Sequence, residues 1–152
     1  MSTVRFPYGK EYLTYDFSTE NFLGTLTSAL HGYTPLLRGE ALVRSAMADP
    51  IGSPSLYELA KEKRNVVLIA SDHTRPVPSK VIVPPMLREI RKGSPDADIT
   101  ILISTGCHRE MTREEQLEKF GAQICENEKI VVHDCDDTDN LIDIGQLPSG
   151  GR

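Results

Sequence analysis

Asp72, Thr74, Arg75 and His108 are the residues of this 152-residue chain whose types and settings could do chemistry. The first three stand in Ser71-Asp72-His73-Thr74-Arg75-Pro76, directly after the apolar run Val66-Val67-Leu68-Ile69-Ala70. His108 stands in Ser104-Thr105-Gly106-Cys107-His108-Arg109, directly after Ile99-Thr100-Ile101-Leu102-Ile103. Arg75 offers a planar fork of donors suited to a carboxylate or phosphate. Asp72 can accept from a hydroxyl or orient that arginine, and Thr74 can donate to a phosphate or cap its turn. A histidine at the mouth of a strand can take or give a proton near neutral pH. Each has a plainer role open to it: an Asp72–Arg75 pair that fixes the turn, or a histidine bonded to its own loop. Two such loops facing one crevice would favour function.

Whether they face one crevice depends on the elements that carry them. Both apolar runs read as buried strands, and a helix-like segment separates them, so the strands should be parallel with both loops at the same sheet edge. Open α/β sheets bind their ligands at that edge. Between the loops, Ser79 can cap a helix carrying Val81, Ile82, Met86, Leu87 and Ile90, kinked or delayed by Pro84 and Pro85 and ended by Gly93-Ser94-Pro95. After the second loop, Thr112 and Glu115 form a capping box that opens a helix with Leu117 and Phe120 facing inward and Gly121 at its end. A third strand follows at residues 129–133, with His133 at its end, and leads into an aspartate-rich stretch from Asp134 to Asp139.

Upstream, Val4-Arg5-Phe6 and residues 12–17 have strand-like composition around a Pro7-Tyr8-Gly9-Lys10 turn, which predicts an opening hairpin. Leu37, Ala41, Leu42, Ala46 and Met47 give a helical stripe that stops before Pro50. Ser55 and Glu58 make a second capping box, opening a helix to about Lys63. The residues between the hairpin and Pro35 carry no assignable pattern. Residues 141–144 read as a further strand. The order predicts an α/β fold: a Rossmann-like, mostly parallel sheet with helices on both faces, preceded by an N-terminal β-hairpin.

Bulk properties narrow the function. A formal net charge of -5 argues against nucleic acid as a partner, since phosphate contacts need clustered basic surface. No membrane-spanning run or signal peptide is visible, so a cytoplasmic protein with no membrane partner is expected. The three cysteines follow no CxxC spacing, which predicts reduced thiols and neither a disulfide framework nor a zinc knuckle. The aspartate run lacks the Gly and final Glu of a calcium loop, so no metal ligand is assigned. His73 is expected to turn away from the pocket, and His31 has no evident partner. The chain has no GxGxxG, P-loop or GxSxG.

Taken together, Ser71-Asp72-His73-Thr74-Arg75-Pro76-Val77-Pro78, Thr105-Gly106-Cys107-His108-Arg109 and Leu147-Pro148-Ser149-Gly150-Gly151 resemble the N-terminal part of the nickel-dependent lactate racemases, from about Val66 onward. The resemblance implies a two-domain α/β enzyme with a nickel-pincer nucleotide cofactor. In that family the nickel-bound pyridinium ring accepts a hydride from C2 of a 2-hydroxy acid while a histidine takes the hydroxyl proton. A transient 2-oxo acid then receives the hydride on either face. It implies that His108 is one of two acid/base histidines, that Arg75 holds the substrate carboxylate, and that Asp72 and Thr74 make the adjoining cofactor and substrate contacts. The second histidine, the cofactor-anchoring lysine and the nickel-binding histidine of the family fall beyond Arg152. The expectation is therefore that residues 1–152 form an N-terminal α/β catalytic domain whose C-terminal domain lies on a longer polypeptide, inactive by itself. The Gly150-Gly151-Arg152 ending fits nicking in an exposed loop or deliberate truncation. Small 2-hydroxy acids, with lactate the default, are the implied substrates. The alternative is a non-catalytic module that binds a small carboxylate or phosphate through Arg75.

Overall fold

The computed structural model describes residues 1–151, so the Arg152 terminus lies outside the described residues. The chain divides into two compact units, Met1–Leu36 and Leu37–Arg152.

The first unit is the expected hairpin. Strands β1 (Ser2–Tyr8) and β2 (Glu11–Phe17) pair antiparallel from Ser2 opposite Phe17 to Tyr8 opposite Glu11. The turn is thus tighter than the composition suggests: only Gly9 and Lys10 lie between the paired residues, and Pro7 belongs to β1, opposite Tyr12. A two-stranded ribbon has edges on both sides, so a proline without an N–H is tolerated there. Phe17 meets Tyr15 edge-on, with centroids 4.9 Å apart, and stacks on Phe22 at 5.7 Å. Thr19–Asn21 and Ala29–Gly32 are short 3-10 turns in the stretch that shows no pattern in sequence.

The second unit carries α1 (Gly39–Ala48), α2 (Leu56–Ala60), β3 (Asn65–Ser71), α3 (Ser79–Gly93), β4 (Asp98–Ser104), α4 (Arg113–Phe120), α5 (Ala122–Asn127) and β5 (Lys129–Val132). Strands β3, β4 and β5 form one parallel sheet in that order. Alternation along the strands sorts their side chains: Leu68, Ile99, Ile101 and Ile103 point into a core that they share with Val83, Leu87 and Ile90 of α3, Phe120 of α4 and Ile124 of α5. The opposite row carries Val67 and Ile69, both largely exposed.

Several elements differ in detail from the sequence reading. Ser79 is the first residue of α3, not its cap, and the helix runs unbroken through Pro84 and Pro85. Each proline removes a backbone donor, a cost of about 3 kcal/mol in an isolated helix; the burial of Val83, Pro85, Leu87 and Ile90 offsets it. At the far end of α3 a side chain on Gly93 would collide with the carbonyl oxygen of Tyr57, so only glycine lets α2 and α3 approach this closely. Helix α2 does keep the capping box of Ser55 and Glu58, but it stops at Ala60, because Glu62 takes a positive φ of 60° and turns the chain toward β3. After the second loop there are two helices, not one, meeting at Gly121, and α5 buries Ile124 and Cys125. Residues 141–144 are not a strand: no described strand pairs with them, and Ile142 and Ile144 stay exposed. An isolated extended segment has nowhere to place its backbone hydrogen bonds except in water. No helix among the described residues is long and apolar enough to cross a membrane.

Ile101 lies fully buried at the centre of the core. Ile101→Ala should lower unfolding stability by about 2–5 kcal/mol through lost burial and the cavity left behind, while Ile142→Ala should change it by no more than about 0.5 kcal/mol. Urea melts of the two variants check this.

Candidate active site

The register of the sheet builds the site. Ser71 at the end of β3 pairs with Ser104 at the end of β4, so the two polar loops leave neighbouring strands at the same level. Each loop closes at once into a tight turn: the Arg75 N–H donates to the Asp72 carbonyl at 3.4 Å, and the His108 N–H donates to the Thr105 carbonyl at 3.1 Å. In the second turn Gly106 holds φ at +59°, a conformation that costs a side-chain-bearing residue about 1–2 kcal/mol. That fold-back returns His108 over the end of β3.

There it meets Asp72. The His108 Nδ1 lies 2.6 Å from one carboxylate oxygen of Asp72. The other oxygen accepts from the Thr74 hydroxyl at 2.7 Å and from the Thr74 N–H at 3.1 Å. The Thr74 hydroxyl is also 3.4 Å from the same His108 nitrogen. Asp72 is only 2% exposed, whereas the His108 side chain is 46% exposed. The buried carboxylate therefore anchors one face of the ring by accepting from Nδ1–H, which leaves Nε2 as the free nitrogen of the neutral imidazole. Among the described residues, Nε2 has no hydrogen-bond partner. The donated hydrogen bond from Thr74 holds the Asp72 carboxyl below the usual range, at about 2, against the opposing pull of burial, and the bond from His108 adds to it.

Arg75 is not drawn into this cluster. It stays exposed at the same sheet edge and lines a neighbouring depression of about 390 Å³ with His73, Val77, Glu115, Glu118 and Lys119. Among the described residues it forms no ion pair with Asp72, so the structural pairing weighed from sequence is absent. His73 lines the depression with Arg75 instead of turning away; its Nε2 is 3.9 Å from Glu115 and its Nδ1 is buried with no partner among the described residues. The Ser71 hydroxyl is also buried and, among the described residues, unpartnered.

Two residues support the site in ways the sequence reading did not assign to them. Thr105, buried, donates its hydroxyl to the His133 carbonyl at 2.6 Å and so ties the second loop to the end of β5. His133 itself sits one residue past β5, its N–H still bonded to the Ile103 carbonyl at 3.0 Å. Glu115, legible only as the end of a capping box, also grips Arg109 with both oxygens, at 2.9 and 2.6 Å, which ties the His108 loop to the start of α4. That guanidinium and the Thr112 N–H hold the Glu115 carboxyl at about 2. A depression beside His108 is lined by Cys107, Val132, His133, Asp134 and Cys135. In it the ligand atoms of Asp134, Cys135 and Asp136 lie within 4.8 Å of one another, a closeness already explained by the turn in which the Asp136 N–H bonds the Asp134 carboxylate. The three cysteines are unpaired.

Because the Asp72 carboxyl titrates lower folded than unfolded, the stability it lends is complete above the ordinary aspartate pKa of about 4 and is lost as pH falls through about 2. Between those values the urea midpoint of the parent protein should drop toward that of Asp72→Asn. Parallel midpoint curves for the two proteins over that range would remove the buried, ionised carboxylate from the account.

A family described as the lactate racemase N-terminal domain matches residues 8–152. A lactate racemase from Thermoanaerobacterium thermosaccharolyticum is 45% identical over 152 residues, which is all of this chain and 36% of that protein. A lactate racemase from Lactiplantibacillus plantarum is 46% identical over 151 residues, 99% of this chain and again 36% of the relative. The solved apoprotein structure of the T. thermosaccharolyticum lactate racemase superposes with a TM-score of 0.83 at 43% identity, covering 99% of this chain and 34% of that one. The chain thus spans little more than a third of the length of its curated relatives. With the match running through both polar loops and across nearly all of the chain, the protein belongs to the lactate racemase N-terminal domain family.

Proposed function

We propose that this chain is the N-terminal α/β part of a racemase that interconverts the enantiomers of a small 2-hydroxy acid, lactate by default, with His108 as one of its acid/base groups. The observation that carries the reading is the Asp72–His108 pair: a half-exposed imidazole fixed through Nδ1 to a buried, ionised carboxylate, with Nε2 left for substrate. Removing the hydroxyl proton of a 2-hydroxy acid requires a base, and Nε2 is presented for that step. As Nε2 gains the proton the imidazolium develops beside the Asp72 carboxylate, which stabilises it and keeps the ring from rotating. Asp72 is thus a positioning residue, and Thr74 holds Asp72 in turn.

Arg75 supplies the positive charge that an anionic substrate needs. It is exposed and, among the described residues, bound to no carboxylate, so its fork is available to grip one. The lost proton accounts for only half of racemisation, because the hydrogen on C2 must also leave and return. The nickel-pincer nucleotide of this reading would supply the acceptor for that hydride when bound. The residues present fit part of such a group. The Ser71 hydroxyl and the His73 Nδ1, in and just after the last residue of β3, are buried polar atoms with no hydrogen-bond partner among the described residues, the kind of atom that a bound polar group commonly satisfies. Its anchoring lysine and nickel ligand would come from sequence outside this chain.

In the full-length, cofactor-loaded protein, His108→Ala should lower racemisation on the order of 100-fold or more, and Arg75→Lys should raise the substrate KM, because an ammonium cannot reproduce the bidentate grip. Steady-state lactate racemisation in both directions checks both, and parent rates in the two variants would refute the roles. The 152-residue chain alone should racemise no lactate and retain no nickel through gel filtration.

A further inference from the structure

Lys119 forgoes the partner its place on the helix offers. It stands one turn after Glu115 on α4, the spacing at which a glutamate and a lysine ordinarily pair on a helix surface. Glu115 is taken up by Arg109, and the Lys119 ammonium reaches back 44 residues to donate to the Arg75 carbonyl at 2.9 Å. The same oxygen accepts from the Val77 N–H at 2.8 Å, so both of its lone pairs are in use. The segment held in this way has little else to fix it. Pro76 and Pro78 have no N–H, and the Arg75 N–H reaches the Asp72 carbonyl only at 3.4 Å. Among the described residues, the Lys119 bond is the one side-chain hydrogen bond that reaches residues 75–78 from elsewhere in the fold. Burial pulls the pKa of Lys119 below the usual lysine value, and the charge of Asp72 opposes that pull. The ammonium is thus partly withdrawn from water, which strengthens its bond to the carbonyl oxygen.

A tie at the backbone governs the side chain that leaves it. A residue before proline is confined to extended backbone, so Pro76 narrows the conformations open to Arg75, and the grip on its carbonyl holds the peptide plane that remains. Together they set the direction in which the Arg75 side chain leaves the loop. Nothing else steadies it, since Arg75 is exposed and, among the described residues, has no carboxylate on its guanidinium. We propose that Lys119 is a positioning residue for substrate binding: its bond to the Arg75 carbonyl aims the guanidinium at the carboxylate of the 2-hydroxy acid. This rests on the reading of Arg75 as the group that holds that carboxylate. Helix α4 then serves both loops, through Glu115 and Arg109 for the loop that carries His108 and through Lys119 for the loop that carries Arg75. Lys119 bonds neither Asp72 nor His108 among the described residues, so its loss should weaken the hold on substrate and spare proton transfer.

Steady-state lactate racemisation by the full-length, cofactor-loaded protein tests this through two variants and a double-mutant cycle. Lys119→Met keeps the apolar stem and removes the donor; it should raise KM about 10-fold, the order of one hydrogen bond to a charged group, with kcat within about twofold of the parent. Lys119→Arg restores a cationic donor and should recover most of that loss. In an Arg75→Lys background, Lys119→Met should raise KM by less than about twofold more, because the fork that Lys119 aims is already gone. An unchanged KM, a fall in kcat alone, no recovery in Lys119→Arg, or an equal rise in KM with and without Arg75 would each overturn the proposal, the last because Lys119 would then act by its own charge. If Arg75→Lys itself leaves KM at the parent value, the substrate role of Arg75 falls and this proposal with it. If Arg75→Lys raises KM and Lys119→Met does not, that role stands and the positioning by Lys119 alone is wrong.

Discussion

The parallel pairing of β3 with β4, in a register that sets Ser71 against Ser104, is the constraint on which everything at the sheet edge depends. Neighbouring strands lie about 4.8 Å apart, so two loops that leave them at the same level are held within side-chain reach. A slip of one residue would turn Ile99, Ile101 and Ile103 out of the core, so the burial that stabilises the sheet also enforces the register that joins Asp72 to His108.

A buried carboxylate is costly unless its charge is matched by hydrogen bonds. Asp72 meets that requirement with two donors from Thr74 and one from His108, and the result is an ionised group in a site almost closed to water. The same arrangement ties up one nitrogen of the imidazole and leaves the other exposed. Around it, the Arg109–Glu115 pair and the Thr105–His133 bond fasten the second loop to α4 and to the end of β5. The histidine is positioned by three elements at once, which separates it from a histidine that merely caps its own turn.

Packing also explains where local preference loses. Pro84 and Pro85 are poor residues for a helix interior, yet α3 is continuous, because the face it turns to the sheet buries Val83, Leu87 and Ile90. Residues 141–144 show the opposite outcome: their strand-like composition has no neighbouring strand among the described residues, and composition alone does not hold an extended chain in place.

What the sequence determined by itself lies within a few residues of its own signal. The apolar runs of β3 and β4, the capping boxes at Ser55 and Thr112, the break at Gly121 and the polar loops with Asp72, Thr74, Arg75 and His108 are all legible because strand alternation and helix capping are local physics. The tight turn at Gly9, the length of α2 and the second helix after Gly121 were not, since small shifts in packing set element ends. Only the tertiary structure decided that Asp72 holds His108, 36 residues away, while Arg75, three residues from Asp72, stands apart from both. It also decided that Glu115 serves Arg109 as well as its own helix and that one face of the sheet is left bare. Such contacts depend on strand register, crossover handedness and the direction of each turn, which are properties of the assembled sheet and are written in no single stretch of the chain.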